Sequence, residues 1–151
     1  AHLFSPADED KCFACGSERT TFAAEAWRIG LSICYDVRFP EFYRALVCQD
    51  GADVLINSSA WPFPRVEHLR VLATARAIEN QSYFVLANRV GKGDGAVFCG
   101  SSAIIDPYGV ILAAASADRE ELLVAEISSE VLTAVRKRTP VFEHRRAELY
   151  N

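Results

Sequence analysis

From Trp27 to Cys34 the chain alternates strictly between large apolar residues and small or polar ones. That period of two predicts a strand with Trp27, Ile29, Leu31 and Ile33 on one face. Arg28, Gly30, Ser32 and Cys34 fall on the other. Pro40 opens a helix whose apolar positions, Phe42, Leu46 and Val47, run on to a stop at Gly51. A second strand follows over 52–57, and the Trp61-Pro62-Phe63-Pro64 loop leads into a long helix from about Arg65 to Asn80. Val66, Leu69, Ala73 and Ala77 lie at helical spacing there. Tyr83 to Val90 reads as a third strand, closed by the glycine-rich run from Gly91 through Asp94 to Gly95. Ser101–Ile105 and Val110–Ala114 flank Asp106-Pro107-Tyr108-Gly109, a turn with Pro second and Gly fourth. Glu121 to Ile127 is expected as a further strand, and Ser128 or Ser129 as the cap of a helix that ends before Pro140. Residues 5–23 look polar and loop-like. The prediction is an α/β fold: a mixed sheet, two crossover helices, one hairpin and a closing helix.

Composition narrows the function classes. Half of the 151 residues are hydrophobic and 24% are charged, with no low-complexity run, which excludes a disordered chain. No apolar stretch approaches the roughly 20 residues that a membrane-spanning helix needs. Sixteen basic residues against twenty acidic ones argue against nucleic acid and anionic membrane surfaces as partners. The five cysteines are odd in number, and Cys34 and Cys48 lie inside regularly patterned segments, which points away from a disulfide framework. A reducing, cytoplasmic setting is expected. Cys12 and Cys15 form a CxxC, yet no second CxxC follows and the three histidines lack ligand spacing. A chance pairing is the first reading there, and a redox or zinc role the other. The chain has no methionine and begins at Ala1, which reads as a cut through something longer.

The end of the first predicted strand is the place to look for chemistry, because ligands in open α/β sheets gather at strand carboxyl ends. Cys34 closes that strand, and a sharp connection leads at once to a helix. An elbow of this kind lifts one side chain into a cleft among free backbone N–H groups. The helix start is expected to favour a thiolate. Cys34 is therefore a candidate nucleophile, or else a small hydrophobe ending a core strand.

The segment Arg28-Ile29-Gly30-Leu31-Ser32-Ile33-Cys34-Tyr35-Asp36-Val37-Arg38-Phe39-Pro40-Glu41 resembles the nucleophile region of the nitrilase superfamily, the carbon–nitrogen hydrolases. The likeness continues, in the family's order, through Gly51-Ala52-Asp53-Val54-Leu55 and Ala75-Arg76-Ala77-Ile78-Glu79-Asn80. Ala87-Asn88-Arg89-Val90-Gly91, Phe98-Cys99-Gly100-Ser101-Ser102 and Ile105-Asp106-Pro107-Tyr108-Gly109 follow, and it thins beyond Ile127.

The resemblance implies a four-layer α-β-β-α sandwich with mixed sheets, of which residues 1–151 would be the carboxyl-terminal part. It implies hydrolysis of a small non-peptide amide through a cysteine thioester, with no metal or organic cofactor. Cys34 matches the nucleophile, and the Tyr35 N–H would stabilise the oxyanion. The family's lysine and upstream glutamate find no match: the chain begins just after the lysine's place, and Lys11, Lys92 and Lys137 lie elsewhere. Ser5 replaces the family's usual aspartate. Glu9 matches a further glutamate that lines the site, with a solvated acidic loop as the alternative. Trp61 would wall the pocket, or simply anchor its Pro-rich loop, which is similar to that of members acting on ω-amides of dicarboxylic acids. Asp36, Arg38, Arg76 and Glu79 are expected as ion pairs holding the elbow. A small-molecule amide and a second copy of the chain are the expected partners. Acyl transfer, amide condensation and a non-catalytic assembly module are the alternatives.

Overall fold

The computed structural model describes residues 1–93 and 95–150. A six-stranded mixed sheet forms its centre. The strands are β1 (Thr20–Ala24), β2 (Trp27–Ile33), β3 (Val54–Ser59), β4 (Tyr83–Asn88), β7 (Ala103–Ile105) and β8 (Ile111–Ala114). They lie in the order β1-β2-β3-β4-β7-β8, while β5 (Val90–Gly93) and β6 (Ala96–Cys99) form a separate hairpin. The strands β2, β3 and β4 run parallel, and all other neighbours are antiparallel. Parallel strands need crossovers, and these are α2 (Pro40–Cys48) and α3 (Val66–Asn80). A short α1 (Glu9–Cys12) precedes the sheet and α4 (Ser129–Arg138) follows it.

The period-two pattern of β2 divides the core as predicted. On one face Leu55, Phe84, Leu86 and Ile105 are buried with Tyr43 and Leu46 of α2 and Leu69, Ala73 and Ala77 of α3. Gly30 lets α2 approach the sheet closely, since a Cβ there would lie 3.1 Å from the Ala52 Cβ and 3.4 Å from Leu46 Cδ1. On the other face Ile29, Val54 and Tyr83 pack with Leu132 of α4, and Leu31, Ile56 and Val85 are only partly covered. The end of α2 is closed by bonds from Gly51 N to Val47 O and from Ala52 N to Leu46 O, with Gly51 at φ +75°. The five-to-one bond at a left-handed glycine is the αL cap, and it is why the helix stops where the glycine stands. Of the two serines that could cap α4, Ser128 does so, its hydroxyl accepting from Glu130 N and Val131 N.

Three expectations fail, each because pairing rather than pattern makes a strand. Residues 20–24, within the stretch read as loop, form β1, joined to β2 through a tight turn at Glu25 (φ +51°). Its positions are mostly exposed, so no buried alternation marks it. The glycine-rich run, read as a closing loop, opens the β5–β6 hairpin; Asp94 in that run lies outside the described residues. Residues 121–127, expected as a strand, take no place in either sheet. Their alternation is present, with Leu122 90% and Val124 79% exposed, but no neighbouring strand completes a ladder among the described residues.

Candidate active site

The strand β2 ends at Ile33, one residue earlier than expected, and Cys34 begins a 3₁₀ turn, Cys34–Arg38, that leads into α2. Cys34 sits at φ +40°, in the left-handed region that side chains with a Cβ avoid. Such strain, of order 1 kcal/mol, persists only where the surroundings over-determine it. They do so here through Asp36, whose carboxylate accepts from Ile33 N at 2.9 Å and so clamps the turn shut across Cys34. The other Asp36 oxygen accepts from His2 N and His2 Nδ1, each at 2.8 Å. An ionised carboxylate can only accept, so His2 carries its proton on Nδ1. Burial works against ionisation of Asp36, but these N–H donors outweigh it and hold the carboxyl below its ordinary range.

The first amides of a helical turn have no acceptor within it, and the Tyr35 N–H is one of them. The Tyr35 ring meets Phe4 at 5.0 Å and Phe39 at 5.2 Å, and His2 stacks on Phe39 at 3.6 Å. These contacts lash residues 1–4 onto the elbow. Glu9 follows from them: its Oε2 accepts from Phe4 N at 2.7 Å, and its charge is close enough to act on the Cys34 thiol.

The expected lowering of the thiol does not occur. Burial is the largest influence on Cys34 and pushes the thiol up, the Ala60 N–H and Ser59 hydroxyl oppose it, and Glu9 and Asp36 add to the rise. A four- or five-residue turn carries little of a helix dipole, and two carboxylates outbid it.

Trp61 is 3% exposed and belongs to the core. Its Nε1 donates to Arg65 O at 2.9 Å and its main chain bonds Asn88 Oδ1 and Cys99 N. Arg38 lies 4.7 Å above the ring, so Trp61 ties the β3–α3 loop to the elbow. The expected ion pairs are half right. Arg76 does bridge Glu79 at 2.7 Å while donating to Val37 O, but Asp36 takes backbone and histidine donors and Arg38 takes the tryptophan face. Lys11 pairs with Asp8 at the surface. Cys12 and Cys15 are exposed free thiols, and among the described residues no three metal-ligating side chains stand together.

A polar network beneath Cys34 escaped the sequence reading. Ser32, Tyr43, Asn57 and Ser59 are buried together, with Tyr43 OH donating to Ser32 Oγ at 2.7 Å and Asn57 Nδ2 reaching both. The available signal was an asparagine at a core-facing position of β3, two residues from Leu55. Ser59 also borders a cleft of about 620 Å³ over the carboxyl ends of β3 and β4, walled by Asn88, Arg89 and the 115–121 segment.

The chain is similar to proteins already known. Residues 1–137 match the carbon–nitrogen hydrolase family. The chain is 42% identical to a 2-oxoglutaramate amidase of Bacillus subtilis over 151 residues, 99% of this chain and 57% of that protein. It is 39% identical to an omega-amidase of Escherichia coli over 94% of this chain and 55% of the relative. A carbon–nitrogen hydrolase structure from Helicobacter pylori superposes with a TM-score of 0.92 at 28% identity, covering 99% of this chain and 57% of that one. The chain thus spans a little over half the length of the relatives it matches. With the strained cysteine elbow and a family match over nearly its whole length, the chain belongs to the carbon–nitrogen hydrolases of the nitrilase superfamily.

Proposed function

We propose that the protein hydrolyses the terminal carboxamide of a small carboxylic acid, an ω-amide, with Cys34 as nucleophile. The observation that carries this is the Cys34 elbow itself: a strained side chain at a strand end, next to an uncommitted Tyr35 N–H. The relatives named for ω-amide and 2-oxoglutaramate hydrolysis supply the substrate class. Cys34 sulfur adds to the amide carbon, and the Tyr35 N–H stabilises the oxyanion. The C–N bond then breaks, the thiol proton leaves with the nitrogen as ammonia, and a thioester remains. Water attacks the thioester, releasing the acid and restoring the thiol. Glu9, with one oxygen held by Phe4 N, can accept a proton or a substrate N–H with the other. Trp61 with Arg38 sets the wall of the pocket through the loop they hold. The partly covered sheet face supports a four-layer sandwich and assembly with a second copy, and five free thiols suit a reducing compartment such as the cytoplasm.

The test is ammonia release from 2-oxoglutaramate by the full-length protein, with mass mapping of an acyl adduct. Cys34→Ala is expected to lower the rate by about 10³-fold or more and to abolish the adduct. Full activity in that variant overturns the reading.

A further inference from the structure

The carboxylate that closes the elbow is itself held from its other side. Asp36 is 1% exposed, so its oxygens must find their donors within the protein. Oδ2 accepts from Ile33 N, and Oδ1 accepts from His2 N and His2 Nδ1. The contacts therefore run from the imidazole, through one carboxylate, to the residue just before Cys34. A main-chain N–H is the same whatever side chain stands at position 2. The Nδ1–H is the part of this grip that only the choice of histidine supplies.

The ring is placed for that one bond. It lies flat on Phe39, with centroids 3.6 Å apart and planes 10° from parallel, and it meets the edge of Phe42 at 5.9 Å. Phe39 closes the turn that Cys34 begins, and Phe42 stands in the first turn of α2. The imidazole is thus oriented by the same elbow whose clamp it completes. A phenyl ring would stack there equally well, so apolar packing does not account for an imidazole. A donor aimed at a buried, ionised acceptor does, because such bonds are the stronger kind and water is a poor substitute at so buried a carboxylate.

We propose that His2 is a positioning residue for Cys34: its Nδ1–H, held in place by Phe39 and Phe42, fixes the Asp36 carboxylate that shuts the turn over the nucleophile. Cys34 keeps its φ of +40° only while that turn is shut. Without the imidazole donor, Oδ1 retains the main-chain bond alone, the carboxylate is free to rotate away from Ile33 N, and the sulfur loses its fixed direction of attack. The same bond sets the register of residues 2–9 on the elbow, and with it the place of Glu9, which Phe4 N holds. The inference rests on the reading of Cys34 as nucleophile.

The experiment is ammonia release from 2-oxoglutaramate by the full-length protein, with kcat and KM measured separately. His2→Phe keeps the stacked ring and deletes the donor, and kcat is expected to fall about 10–100-fold while KM changes less than about threefold. His2→Asn puts an amide N–H where Nδ1 stands and is expected to recover most of that loss. His2→Gln puts its N–H one bond farther out, at the place of Nε2, and is expected not to. Because His2 acts through Asp36, His2→Phe is expected to cost little more once Asp36→Asn is already present. An unchanged kcat in His2→Phe, equal kcat in His2→Asn and His2→Gln, or fully additive losses with Asp36→Asn overturns the proposal. Should His2→Phe not fold, the His2→Asn and His2→Gln pair decides. An active Cys34→Ala variant, which touches none of these residues, overturns the nucleophile reading and this proposal with it.

Discussion

The two faces of the central sheet are built from the same three parallel strands, yet they differ in almost everything else. Beneath α2 and α3 the face is sealed: Leu55 and Phe84 have no exposed surface, and even its polar residues, Ser32 and Asn57, pair with one another. Toward α4 the face is open: Ile33 is 68% exposed, and Leu31, Ile56 and Val85 are half covered. The strained elbow sits on the sealed side. A side chain at φ +40° stays there only if every alternative is blocked, and close packing together with the Asp36 clamp is what blocks it. The open side can carry no such strain, and its apolar residues mark where further structure would gain most by packing.

The sharpest way to break this comparison is to truncate matched positions. Leu55→Ala on the sealed face is expected to cost about 2–5 kcal/mol, because its neighbours cannot close the cavity. Val85→Ala on the open face is expected to cost about 1 kcal/mol. Equal losses in chemical denaturation of the two variants would mean that the faces are equally closed.

A smaller effect tests the clamp on the elbow. The Asp36 carboxyl is depressed in the folded protein, so its contribution to stability is fully present above its unfolded value of about 4 and is lost as pH falls through the lower folded value. Asp36→Asn is expected to be less stable at neutral pH and to lose less further stability on acidification. The unfolding midpoint followed from pH 7 to pH 2 checks this. Parallel acid curves for the two proteins would remove Asp36 from its clamping role.

The smallest effect is expected at Leu122, which is 90% exposed. Leu122→Ser is expected to change stability by no more than about 0.5 kcal/mol while lowering the binding of a hydrophobic dye. A large loss of stability would mean that residues 120–127 are held more tightly than their exposure implies.

How much of this was legible in the residues follows from where the information lies. The alternation from Trp27 to Cys34, the stop at Gly51 and the turn at Asp106 are local: side-chain periodicity and a glycine with positive φ are properties of a short segment, and each element came out close to its expected bounds. The family was also legible, because its motifs are written along the chain in order. The strand β1 and the β5–β6 hairpin were not, nor was the absence of a strand at 121–127, since a ladder exists only between segments and nothing in one of them names its partner. The depressed Asp36 and the raised Cys34 belong to the same class: each depends on groups brought from residues 1–9 and from β3. Sequence by itself determined the family and the locally patterned elements around β2, α2 and α3. Only the tertiary structure decided which carboxylates act on the thiol, because charge and hydrogen bonding act across space and over distances that chain order does not record.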